Sequence, residues 1–166
     1  MKICFNPQAV MCVALLALAT AGLAASPAAP PLAGSNWQLH AIQSMDDAQG
    51  TTKIADPSRF TVYFGADGRA NFQLDCNRGT GDWKSEPGSA ESGKLTFGPL
   101  AATRALCPPP HVDERVALDM AHVRSYLFRN GKLFMSLMAD GGIYEWHPVP
   151  AAKPEAAVQS KGARVN

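Results

Sequence analysis

Two runs decide how this chain folds: Asp75–Trp83, DCNRGTGDW, and Leu95–Cys107, LTFGPLAATRALC. They carry Cys76 and Cys107, and they are the least generic residues in the sequence. The first follows an alternating apolar segment and the second opens on one, so each is expected at the edge of a strand. If the two cysteines pair, the runs are clipped together and everything between and around them is organised about that clip.

The chain has 166 residues, 46% of them hydrophobic, and a formal net charge of +1. That length suits one domain with a core of its own. A balance so close to neutral gives no electrostatic footprint for nucleic acid and no polybasic patch for a membrane surface. Part of the hydrophobic content belongs to the N-terminus, where Lys2 precedes Ala9–Ala25, AVMCVALLALATAGLAA. A cationic start, an apolar stretch of roughly 15 residues and an exit of small residues form a secretory signal, short of the ~20 residues a spanning helix needs. Residues 1–25 are therefore expected to be a cleaved leader, with no stable membrane span left in the mature chain.

Cys4 and Cys12 lie in this leader, and neither follows the small-residue exit where a lipoprotein would carry its lipid. The expected location is periplasmic or secreted. In that oxidising compartment the remaining even pair, Cys76 and Cys107, is expected to form a disulfide. The two are 31 positions apart. Closing a loop of that size stabilises a fold by ~3 to 4 kcal/mol in the chain-entropy account.

Residues 26–34 have the Pro and Ala composition of a linker, and residues 151–166 are polar, free of aromatics and without a sustained period, as a disordered tail would be. The folded unit is expected over residues 35–150. Trp37, Leu39 and Ala41 alternate with polar neighbours as a first strand, and Met45–Ser58 reads as loop. Phe60, Val62 and Phe64, then Ala70, Phe72 and Leu74, flank Asp67-Gly68 as a hairpin. Trp83–Lys84 and Leu95–Phe97 read as short strands around a turn at Glu86–Gly93.

After Pro108–Pro110, the residues Val112, Val116, Met120 and Val123 recur at helical spacing, with Asp113 and Glu114 at the positive end of the dipole. Tyr126–Phe128 and Lys132–Met138 flank Asn130-Gly131 as a second hairpin, and Asp140–Gly142 turns into Ile143–His147. About seven short strands and one main helix make an α+β domain with a curled antiparallel sheet. The pattern leaves open whether that sheet closes into a barrel.

With these residues on the page the chain resembles the META domain family, also called HslJ-like. Its first motif is matched by Cys76, Asn77, Gly81 and Trp83, with Trp where Tyr is usual. Its second is matched by Leu95, Thr96, Phe97, Gly98, Thr103, Arg104 and Cys107. Trp37-x-Leu39 and the closing hairpin fit as well. Asp75 stands where the family commonly has Gly, Ala105-Leu106 replaces a Met-Ala pair, and Ala117 sits where an aromatic is frequent. The resemblance implies a small α+β domain of the cell envelope, associated in some members with stress or drug tolerance and without an established catalytic activity.

Other chemistry is open to the same residues. Cys107-x3-His111 with Cys76 and Asp75 or Asp82 offers zinc or copper ligands, although three prolines interrupt the usual presentation. A reactive thiol would need a base in reach, and no Cys-x-x-Cys pair or catalytic signature surrounds His111, His122 or His147. His40 and His122 are expected at the surface of a strand and a helix. Arg104 is expected to be held by Asp75 or Asp82, fixing the two motifs together, with capture of an anionic ligand as its alternative. Asn77, Gly79 and Gly81 look like turn chemistry and lack the Lys-Ser/Thr of a phosphate loop. Met135 and Met138, on a strand, face opposite ways.

The expectation is thus a non-enzymatic, cofactor-free exported domain. Its partner would be an envelope protein or a small apolar ligand, and it would act as a stress-related binding or stabilising module. A stapled structural accessory without a ligand and a thiol- or metal-dependent enzyme are the alternatives. An exposed apolar cleft would favour the first, a sealed core the second and a reduced cysteine pair the third.

Overall fold

Alternation in Phe60–Leu74 builds the first hairpin. In the computed structural model, which describes residues 32–139 and 141–149, β3 (Phe60–Phe64) pairs antiparallel with β4 (Arg69–Leu74). Gly68 takes a left-handed φ of 80° at the turn, and the Asp67 carboxylate accepts from the Arg69 N–H. The inward residues of both strands are buried, from Phe60 to Leu74. A further hairpin, β8 (Val123–Arg129) and β9 (Lys132–Leu137), turns through Asn130 and Gly131 at φ 53° and 72°. Two successive positive φ values match the natural twist of a two-residue hairpin.

The remaining strands are β1 (Asn36–Gln43), β2 (Thr51–Lys53), β5 (Asn77–Pro87), β6 (Ser92–Phe97), β7 (Ala101–Ala102) and β10 (Ile143–Pro148). Every pairing is antiparallel, and the circuit runs β1, β3, β4, β5, β6, β8, β9, β10. It returns to β1, because Trp37–Gln43 pairs with Ile143–Pro148. The curled sheet is therefore a closed barrel, with β2 and β7 as additional strands on β1 and β5. Closure removes the free edges that an open sheet would expose along most of its length.

The interior is filled by side chains. Trp37, Trp146, Tyr144, Phe64, Leu39, Ile42, Leu95, Leu133 and Met135 are fully buried in one cluster. A small barrel packed in this way has no room for a ligand along its axis. Helix α1 (Val112–Asp119) and a 3-10 turn at Met120–His122 seat Val116 and Met120 in the same cluster. They cover the end of the barrel where Leu74, Asn77 and Tyr144 lie, since Asp113 bonds Asn77 and Asp119 accepts from the Tyr144 hydroxyl.

Several elements differ from the sequence reading. Thr51–Lys53, within a stretch read as loop, is a strand on the outer half of β1, which β3 leaves unpaired beyond Gln38. Asn77–Gly81, read as turn chemistry, is the first half of an eleven-residue strand. Its glycines are there to admit Leu100: a Cβ on Gly79 would stand 3.2 Å from Leu100 Cδ2, and one on Gly81 3.2 Å from the Pro99 carbonyl oxygen. Val123 opens β8 instead of continuing the helix. Leu32, inside the run read as a linker, is buried against the core. Gly34 donates its N–H to the Phe64 carbonyl, while the expected leader, residues 26–31 of the linker and the tail lie outside the described residues.

Candidate functional site

The loop between β4 and β5 is only Asp75 and Cys76, and Asp75 takes a left-handed φ of 57°. A glycine would adopt that conformation freely; here Asp75 is held by an ion pair with Arg59, and its N–H donates to the Arg59 carbonyl at 2.7 Å. Cys76 is bonded to Cys107 with a Cα–Cα distance of 5.6 Å, which ties β5 to the segment leading into α1. With both sulfurs in the bridge, neither is a thiolate for metal binding or nucleophilic attack. Among the described residues no cluster of three or more His, Cys, Asp or Glu has the geometry of a metal site.

Asn77 is the side chain on which the two motifs converge, and it is only 4% exposed. Its Oδ1 accepts from the Ala105 N–H at 2.7 Å and the Thr103 hydroxyl at 2.8 Å. Its Nδ2 lies 2.9 Å from the Ala105 carbonyl, 3.0 Å from Asp113 Oδ2 and 3.2 Å from Cys107 Sγ. The Thr103 hydroxyl in turn accepts from the Arg78 N–H. One amide thus fastens β5, residues 103–105, the disulfide and α1 to each other. Asp113, expected only to favour the helix dipole, is 4% exposed and serves as a wall of this network. Its sequence position at the start of a helix carries no signal of that role.

The other motif residues are structural in different ways. Trp83 donates its Nε1–H to the Gly65 carbonyl at 3.1 Å and meets Phe64 edge-on. Phe97 packs between Phe64 and Phe72. The Gly98 N–H continues the β5 pairing at Asp82, but a Cβ there would meet nothing closer than 3.7 Å, and nothing in the structure explains a glycine. Arg104 is not held by Asp75 or Asp82, because Arg59 and Arg69 occupy those carboxylates. It is exposed and has no ion-pair partner among the described residues.

Arg104 instead borders a groove of about 440 Å³ between α1 and the segment after β6. Leu74, Leu100 and Ala102 lie on its barrel side, and Glu114, Ala117 and Leu118 on its helix side. Leu106 and Leu118, both lining it, are 88% and 71% exposed. Asp113 lines it too, and its Oδ1 is buried without a hydrogen-bond partner. Sequence reasoning pointed to Arg104 and missed both leucines, since an isolated Leu after a motif or on a short helix reads as core.

A second cluster, unforeseen in the sequence, lies across the β1–β10 seam. His40 stacks on His147 with ring centroids 3.7 Å apart, so it is not the free surface residue expected. Its Nε2 is buried without a partner. Burial, and then the neighbouring His147, push the His40 pKa below its ordinary value, while Glu145 opposes them. Glu145 accepts from Lys132 at 2.7 Å and shares a 2.8 Å contact with His147 Nε2, and these bonds hold its carboxyl below the usual range. At the helix end, burial and the bond to Asp119 push the Tyr144 hydroxyl far above its ordinary pKa.

No helix of the described residues is long and apolar enough to cross a membrane. The fold is similar to that of a protein from Burkholderia xenovorans solved by NMR, at 21% identity and a TM-score of 0.57, over 72% of this chain and 85% of that one. A duf4847 family protein from Bacteroides vulgatus matches at 12% identity and a TM-score of 0.46, over 70% of this chain and 93% of its own. No curated protein sequence matches significantly. The family model of the META domain matches residues 30–145, a span that includes the Cys76–Cys107 clip, the Asn77 network and the closing hairpin as far as Glu145. The chain belongs to the META domain family.

Proposed function

We propose that this META domain is an exported, non-catalytic binding module of the cell envelope, and that its ligand site is the groove between α1 and residues 99–106. The observation that carries this reading is the pair of leucines, Leu106 and Leu118, left almost bare beside a concave surface. Exposed apolar side chains around a concavity with a few polar groups are the usual make-up of a binding site. The barrel interior is packed with Trp37, Tyr144 and Trp146, so a ligand is taken at the surface and not along the barrel axis. The Asn77 network and the disulfide hold one wall rigid, which lowers the ordering cost of binding.

The test uses protein exported to the periplasm, its mass checked for loss of about 25 residues at the leader, titrated with an anilinonaphthalene dye. Saturable binding that Leu118→Glu weakens at least tenfold supports the groove. Binding unchanged by Leu118→Glu, or none at all, overturns it. In the latter case the packed barrel favours the alternative, a stapled structural accessory without a ligand.

A further inference from the structure

Resting on the groove as the ligand site, we propose that its occupant is an extended segment of another polypeptide, added as a strand alongside Ala101–Arg104. The evidence begins with the pairing of β7. Thr103 donates to the Arg78 carbonyl, which makes Arg78 and Thr103 a hydrogen-bonded pair and places Ala102 opposite Gly79 at the next, non-bonded position. In an antiparallel ladder the N–H and C=O of alternate residues point to opposite sides. The main-chain groups of Ala102 and Arg104 therefore point away from β5.

Nothing in the described residues takes them up. β8 pairs with β6 only across Ser92–Lys94, and no strand lies on the far side of β7. The eight-strand circuit closes without β7, and apart from the outer side of the three-residue β2 this is the free strand edge that sits beside a leucine-rimmed groove. A row of free main-chain donors and acceptors is matched by another main chain, and lipids or small apolar molecules cannot supply the complement. Alternate side chains of an added strand would turn toward Leu100, Leu106 and Leu118, while their neighbours faced solvent.

Charge narrows the occupant further. On the helix side Glu114 lines the groove beside Asp113, whose Oδ1 is buried without a donor. A Lys or Arg in the incoming segment pairs with Glu114, on the side where the buried Asp113 lies, and Arg104 on the strand side pairs with an acidic residue or a terminal carboxylate. The partner is thus an alternating apolar segment with a basic residue directed at α1.

The experiment is selection of a displayed library of random eight-residue peptides on the intact, oxidised domain, followed by synthesis of the enriched peptides and of copies N-methylated at alternate residues. Enriched peptides should alternate apolar residues, shift the Ala102 and Arg104 amide resonances saturably, and lose at least tenfold in affinity on N-methylation in one register only. Ala102→Pro removes an outward N–H that no residue of the barrel uses, and should weaken binding similarly without unfolding the domain. Peptides that bind equally well when N-methylated in either register overturn strand addition. So does a failure to enrich while the dye still binds in a Leu118-dependent way, and the groove reading then stands. If neither dye nor peptide binds, the groove reading falls as well.

Discussion

Replacing Asn77 by Ala removes one side chain and leaves a set of buried groups without partners. The amide has two N–H groups to share among Ala105 O, Asp113 Oδ2 and Cys107 Sγ, and its oxygen receives Thr103 and the Ala105 N–H. Thr103 and Ala105 belong to an exposed segment and regain water, but the buried Asp113 carboxylate does not. At ~1 to 3 kcal/mol for that stranded group, with the net worth of the other bonds added, the loss comes to about 3 to 5 kcal/mol. For a urea slope of roughly 1.5 kcal/mol per molar, the midpoint should fall by about 2 to 3 M.

Asn77→Asp sharpens the argument. It places a carboxylate oxygen where Nδ2 now lies, 3.0 Å from Asp113 Oδ2 and 2.9 Å from the Ala105 carbonyl. Acceptors would then face acceptors, so this variant should be less stable than Asn77→Ala at pH 7 despite being isosteric. Adding Asp113→Asn should restore part of the loss, because a donor again faces the new carboxylate. The assay is urea unfolding of the oxidised protein followed by tryptophan fluorescence. A midpoint shift below about 0.5 M for Asn77→Ala, or an Asn77→Asp variant as stable as the parent, would refute the account of Asn77 as the junction of the two motifs.

Three more expectations can be checked on the same apparatus. Reducing the Cys76–Cys107 bond, or replacing both cysteines by Ser, should cost about 3 to 4 kcal/mol, read as a lowered urea midpoint that reoxidation restores; an unchanged midpoint would remove the clip from any stabilising role. Gly81→Ala should destabilise by roughly 1 to 2 kcal/mol because its nearest obstacle is a backbone oxygen, whereas Gly98→Ala, with open space around it, should stay within about 0.5 kcal/mol. Acidification should weaken the β1–β10 seam. The folded pKa of His40 lies below its ordinary 6.5, so the unfolded chain takes up its proton first and stability falls as pH drops from the ordinary His range through the lowered folded value. Glu145, also lowered, contributes above the ordinary carboxylate range and loses that contribution further down. His40→Gln should flatten the upper part of this profile, and a slope unchanged by that substitution would exclude His40 as its source.

Much of the architecture is legible in the sequence because it is local. Alternation at Phe60–Leu74 and Lys132–Leu137, and the Gly68 and Asn130-Gly131 turns, specify hairpins from neighbouring residues alone. The pairing of Cys76 with Cys107 is expected from the even count left outside the N-terminal apolar run and needs no geometry. Asn77, Gly79 and Gly81 mislead for a physical reason: turn-forming residues were required inside a strand because Leu100, distant in sequence, packs where their side chains would be. Barrel closure could not be read either, since it depends on β1 meeting β10 from opposite ends of the domain. The same holds for Asp113, buried because Asn77 needs an acceptor, and for Arg104, free because Arg59 and Arg69 occupy the acids it was expected to meet. The sequence by itself determined the two hairpins with their turns and the covalent clip. Only the tertiary structure decided that the sheet closes and that Ala101–Arg104 keeps a free edge beside the groove, because a free edge is defined by which strands fail to reach it.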